Sequence, residues 1–178
     1  MKRIMLVAVC LLFISAIAVA ADAPKAEVFG GYSYFRCDTG DSDISCNLSG
    51  WNASVAFNAA KYFGFVADIG GTYGTVDGAD TKDHSFLFGP KFAVRKNKVT
   101  PFAQALFGVA NQRASVDGAS LGITNNFAMT LGGGLDINVG ERIAIRVPQA
   151  DYFMTRSQGE TLNNFRLSAG VVLKLGKR

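Results

Sequence analysis

The chain has 178 residues, 49% of them hydrophobic, with 18 basic side chains against 14 acidic ones and a single histidine. That is enough for one domain with a sizeable core, and a charge this balanced excludes a phosphate-neutralising nucleic-acid binder. Beyond the N-terminal run, no segment supplies the ~18 consecutive apolar residues that a spanning helix needs, so any membrane crossing must rest on strands.

The chain opens on MKR, continues through the apolar run Ile4 to Ala20, and closes that run with small residues at Ala18 and Ala20. These are the three parts of a secretory leader. Residues 1–20 are therefore read as a signal peptide for Sec export and 21–178 as one mature domain. Cys10 lies inside the run with Leu11 to Ala20 still to follow, which does not suit a lipoprotein anchor. Without Lys2 and Arg3, sixteen basic residues oppose fourteen acidic ones, so the mature charge is about +2.

Eight strand signals follow, each dense in Val, Ile, Phe, Tyr and Thr and bounded by Gly, Asn, Asp or Lys. They run from Glu27 to Arg36, Trp51 to Ala59, Phe63 to Thr75, Ser85 to Arg95, Thr100 to Arg113, Asn126 to Asn138, Arg142 to Thr155 and Asn164 to Leu175. These lengths exceed the ~5–6 residues usual in soluble sheets and suit a tilted strand crossing a bilayer. After the first strand, CDTGDSDISCNLSG holds Cys37 and Cys46, which in an exported protein are expected to form a disulfide. Two thiols with His84 far along the chain are too few ligands for zinc.

The connectors alternate in length. NAAKY, KNK and VGER are short, whereas the stretches after the first, third, fifth and seventh strands are long and polar. Long loops on one rim, with short turns and both chain ends on the other, is the layout of bacterial outer-membrane barrels.

Parity then decides which face meets lipid. Trp51, Ala53, Val55 and Phe57 share one row, as do Phe63, Phe65, Ala67 and Ile69, and then Phe86, Phe88, Pro90 and Phe92. The opposite rows carry polar and small residues. A soluble barrel would fill its narrow centre with the aromatic row, but here the Gly-, Ala-, Ser- and Thr-rich row suits a narrow lumen and the Phe-rich row suits hydrocarbon. Tyr34, Trp51, Tyr62, Tyr73, Phe127 and Tyr152 near the strand ends fit two interfacial girdles.

The inward set contains the acids Glu27, Asp68, Asp136 and Asp151 and the bases Lys91, Arg95, Arg146, Arg166 and Lys174. Confined charges must be paired, so a network of ion pairs and hydrogen bonds that plugs the lumen is expected. Three places resist the scheme. Strict alternation through Pro148 would put Gln149 and Asp151 in lipid, so a bulge at Val147 to Gln149 is expected to return them to the lumen. Pro90 keeps its row but lacks a ladder donor. Phe102 and Leu106 fall on the inward row, against the trend.

EVFGGYSYFR after a leader, SFLFGPKFAVR, PFAQALFGVA, IRVPQADYFMTR and FRLSAGVVLKL together resemble the small eight-stranded outer-membrane β-barrels of the OmpA-like and opacity-type superfamily. The resemblance spans the mature chain and implies an all-β, antiparallel, up-and-down transmembrane barrel in the cell outer membrane. It further implies contact with outer-membrane lipid and lipopolysaccharide, insertion by the barrel assembly machinery, a monomer, no nucleic-acid partner and no cofactor. GKR stands where many such barrels end in an aromatic residue.

The fold itself hosts adhesins, anchors, small pores and a few lipid-modifying enzymes. For catalysis the single His84 sits between Asp83 and Ser85, and neighbours in a strand point to opposite faces, a poor start for a triad. The favoured reading is a non-enzymatic scaffold presenting four external loops for adhesion, ligand contact or envelope integrity. A small passive pore and a lipid-modifying enzyme are the alternatives. Asp38, Asp41, Asp43, Asp77, Asp80, Asp83 and Asp117 are expected to give those loops an acidic rim.

Overall fold

The computed structural model describes residues 23–38, 45–76, 79–116, 119–157 and 160–177, so the leader expected at 1–20 lies outside the described residues. Eight strands, β1 (Pro24–Asp38), β2 (Ser45–Asn58), β3 (Phe63–Val76), β4 (Ala79–Ala93), β5 (Val99–Val116), β6 (Ala119–Asn138), β7 (Ile143–Ser157) and β8 (Glu160–Lys177), follow in chain order. Each pairs antiparallel with the next, and β1 closes on β8 to complete a barrel. Closure leaves no sheet edge, which lipid requires because it offers backbone groups no partner.

The short turns lie where expected. Ala60 N donates to Phe63 O at 2.9 Å, Lys96 N to Val99 O at 3.0 Å and Gly140 N to Ile143 O at 3.1 Å. The opposite rim differs from the sequence reading. The long polar connectors are mostly strand, because pairing continues outward to Cys37↔Cys46, Val76↔Ala79, Val116↔Ala119 and Ser157↔Glu160. The asymmetry in connector length therefore appears as hairpins rising past the lipid belt. Residues 39–44, 77–78, 117–118 and 158–159 at their tips, with Asp41, Asp43, Asp77 and Asp117, lie outside the described residues.

The wall has the polarity of a membrane barrel. Phe57, Phe65, Phe88, Phe92, Phe107, Leu131, Ile145, Val171 and Leu173 are exposed on the outside, Phe88 by 69%. Tyr34, Trp51, Tyr73, Phe127 and Tyr152 stand towards the hairpin rim and Tyr62 at the short-turn rim, all exposed. The hydroxyl of Tyr34 donates to Asn47 Oδ1 at 2.7 Å and that of Tyr152 to Asn163 Oδ1, so each ring lies against the wall with its polar end satisfied.

Both prolines have an account in the ladders. β7 advances from Arg146 to Gln149 while β8 moves only from Gly170 to Ser168 and β6 only from Asp136 to Gly134. That extra residue is the bulge, and it resets parity so that Gln149 and Asp151 are buried and Tyr152 faces out. The Val147–Pro148 peptide within it is cis. At Pro90 the β3 ladder runs on through Phe65↔Pro90, while the β5 ladder skips from Phe88↔Phe107 to Lys91↔Gln104. The missing donor falls on the β5 side.

The lumen is less uniformly small than its sequence row suggests. Phe29, Phe35 and Phe153 join Phe102 inside, with Leu48, Leu87 and Leu106. They form two apolar clusters, one of Phe29, Ala144 and Val172, the other running from Val66 and Leu87 to Phe35 and Phe153. The rings fit because glycine faces them: a Cβ on Gly134 would lie 3.0 Å from Phe102 Cζ.

Candidate functional site

The charged residues of the lumen come from opposite walls, delivered inward by strand alternation except for Arg95, which lies just past the end of β4. At the short-turn end, Glu27 accepts from Lys91 Nζ at 2.8 Å and from Arg95 at 2.9 Å. Asn58 ties into the same cluster, donating to Glu27 Oε1 at 3.3 Å and accepting from Arg95 at 2.7 Å. Nearby, Arg146 makes a two-pronged pair with Asp136, Nε to Oδ1 at 2.7 Å and Nη2 to Oδ2 at 3.0 Å. Its guanidinium lies 4.4 Å from the Phe29 ring centre and 4.3 Å from that of Phe102. Lys91 lies 4.6 Å from the Phe102 ring. The inward aromatics thus offer ring faces to cations held away from water.

A relay of side chains joins this end to the middle of the barrel. Arg146 donates to Gln149 Oε1 at 3.0 Å, and Gln149 donates to Asp151 Oδ2 at 2.7 Å. Arg166 then spans the lumen: Nη1 reaches Asp68 on β3 at 2.9 Å, while Nε and Nη2 reach Asp151 on β7 at 3.0 and 2.9 Å. Asn52 completes the shell of Asp68 at 3.1 Å. Gly132 leaves room for Asp151, since a Cβ there would sit 2.1 Å from Asp151 Oδ1.

Eight of the nine expected lumen charges, Glu27, Asp68, Lys91, Arg95, Asp136, Arg146, Asp151 and Arg166, take part in these ion pairs. Their formal charges cancel. Lys174 differs: at the short-turn mouth it donates to Asn138 Oδ1, and among the described residues no carboxylate lies in ion-pair contact with it. Cys37 stands opposite Cys46 in the β1–β2 register. The Cys46 side chain lies outside the described residues, so a disulfide between them is a prediction taken up below.

Above Arg166, towards the hairpin rim, the lumen opens into a cavity of about 300 Å³. Phe35, Leu48, Phe153 and Leu162 give it a mainly apolar wall, Arg166 forms its floor, and Asp83 and Gln112 line one side. The Phe35 and Phe153 rings meet edge to face with centres 5.2 Å apart. Asp83, expected on an external loop, is instead a β4 residue lining the lumen. It was missed because the strand extends beyond the lipid-facing alternation that marks it in sequence. His84 turns the other way, its ring 6.0 Å from that of Tyr73 on the outer face. Asp83, His84 and Ser85 do not converge. Among the described residues no group of three or more His, Cys, Asp and Glu side chains is placed to hold a metal ion.

No protein-family profile matches the chain, and no curated protein does. Solved structures do. Neisserial surface protein A superposes with a TM-score of 0.73 at 14% identity, over 85% of this chain and 97% of that one. Ail, the attachment invasion locus protein of Yersinia pestis, gives 0.60 at 19% identity over 85% and 99%. The N-terminal β-barrel domain of Pseudomonas aeruginosa OprF gives 0.54 at 12% identity over 84% and 98%. With its apolar belt facing outward and its ion pairs enclosed, the chain has the fold of the small eight-stranded outer-membrane β-barrels.

Proposed function

We propose that the protein is a non-enzymatic outer-membrane scaffold whose lumen is plugged by its own side chains and whose four hairpins are held outward for surface contact. The observation that carries this reading is Arg166, 2% exposed and bonded at once to Asp68 on one wall and Asp151 on the other. A guanidinium fixed across so narrow a barrel leaves no lane for hydrated ions. The outward divergence of His84 from Asp83 and Ser85 supports the absence of a hydrolytic triad. Ail, by its name an attachment and invasion protein, shares the frame and lends support to surface contact as the role. Outer-membrane lipid and lipopolysaccharide are its surroundings, the barrel assembly machinery its route of insertion, and the monomer its working form.

The test is conductance in planar bilayers of protein whose heat-modifiable gel migration shows a closed barrel. No steady ion current is expected, and protease added to intact cells should cut only at the hairpin tips. A steady current through the native barrel would refute the plug and favour the pore.

A further inference from the structure

The cavity above Arg166 is more than leftover space. Its volume of about 300 Å³ lies at the lower bound of small-molecule sites. Its wall is mainly apolar, yet three polar atoms at its lining lack any partner: Ser33 Oγ, Thr155 Oγ1 and Asp83 Oδ1. Ser33 and Thr155 are only 1% and 4% exposed. Asp83 accepts a hydrogen bond from the Gln112 side chain, and Gln112 in turn accepts from Asn126 at 3.1 Å, so the carboxylate is oriented. Its second oxygen is left shielded and unmet.

Buried polar groups in folded proteins are nearly always hydrogen-bonded, and each exception calls for an explanation. The charges here select the ligand. Three titratable residues among the described lining bear on the choice: Asp83, Arg166, which is already engaged by two carboxylates, and His84, whose ring lies against Tyr73 on the outer face. Asp83 is therefore the group with bonding capacity to spare, and it calls for a donor bearing positive charge. Phe35 and Phe153 supply ring faces and edges for an apolar body.

We infer that this outward-opening vestibule binds a compact organic ammonium ion, its aromatic or branched apolar part against Phe35, Leu48 and Phe153 and its cationic nitrogen at Asp83, Ser33 and Thr155. The site goes beyond surface contact by the hairpins and does not require that role. It shares Arg166, the floor of the cavity, with the plug, but the two have separate readouts: a steady current would refute the plug, whereas loss of the preference for a cation would refute this site.

The test uses three probes of one skeleton, phenethylammonium, 2-phenylethanol and phenylacetate, titrated calorimetrically into the full barrel in phosphatidylcholine nanodiscs, with empty nanodiscs as the blank. Phenethylammonium is expected to bind saturably and at least about tenfold tighter than the alcohol, with no saturable heat from the acid. Asp83→Asn should erase the preference for the cation while keeping heat-modifiable migration, and Ser33→Ala with Thr155→Val should weaken it. Equal affinity for ammonium and alcohol, an unaltered preference in Asp83→Asn, or the same signal from empty nanodiscs would each overturn the assignment.

Discussion

Replacing Arg166 with Met keeps an unbranched apolar stem but ends it two atoms short of the terminal guanidinium nitrogens and removes the charge, leaving two carboxylates facing each other across the lumen. Removing one partner of a buried ion pair costs about 3–5 kcal/mol, because the remaining charge has lost its compensation. Here Asp68 and Asp151 both lose a partner, but neither is stripped bare. Asn52 still donates to Asp68 at 3.1 Å, and Gln149 and Gln104 to Asp151 at 2.7 and 3.4 Å. The expected loss is therefore about 3–5 kcal/mol rather than twice that. A triple variant, Arg166→Met with Asp68→Asn and Asp151→Asn, buries no unpaired charge and should recover to within about 1 kcal/mol of the native barrel. The assay is equilibrium urea unfolding in lipid vesicles, followed by Trp51 emission and checked by gel migration. If the single variant unfolds like the native protein, or the triple variant is no better than the single, the bridge is not what compensates those carboxylates.

Phe88→Arg should destabilise the barrel by about 2–4 kcal/mol in vesicles, since an exposed residue amid the apolar belt would force a charge into hydrocarbon, whereas Phe88→Leu should change little. An innocuous arginine there would contradict the outward orientation of the belt. Gly132→Ala should cost about 1–3 kcal/mol by pressing on Asp151 and the Ala150 carbonyl, and a neutral result in the same urea titration would mean the carboxylate is free to move. Without reductant, neither Cys37 nor Cys46 should react with iodoacetamide, and with reductant both should. Labelling of Cys46 in the unreduced protein, read by peptide mass, would refute the Cys37–Cys46 disulfide.

Alternation made the wall legible in advance, because in a barrel one row must meet lipid and the other the lumen, and the row bearing Lys91 and Arg166 had only one affordable side. The break in alternation at Pro148 was equally readable: parity demanded an extra residue, and the ladders place it between Arg146 and Gln149. Phe29, Phe35 and Phe153 were not readable in this way. Parity assigns a face but not a purpose, and an inward ring becomes sensible only once Arg146 is seen against Phe29 or Gly134 beside Phe102. The outer strand extensions escaped notice for a different reason. Beyond the lipid, both faces of a hairpin can be polar, so the period-two signal fades while backbone pairing continues. Asp83 and its cavity lie in that zone. Lys174 shares the parity of the network and stands opposite Glu27 in the β1–β8 register, but Glu27 is taken by Lys91 and Arg95 and Lys174 donates to Asn138, a choice between partners that parity does not give.

Arg166 belongs to the final strand, and its two acids lie on β3 and β7, with Asp68 separated from it by 98 positions. The same strand forms the seam with β1. The bond of Arg166 to Asp151 and that of Arg146 to Asp136 lie between adjacent strands and can form while the sheet is still open. The bridge to Asp68 cannot, so sealing the circumference and completing the charge balance around Arg166 coincide.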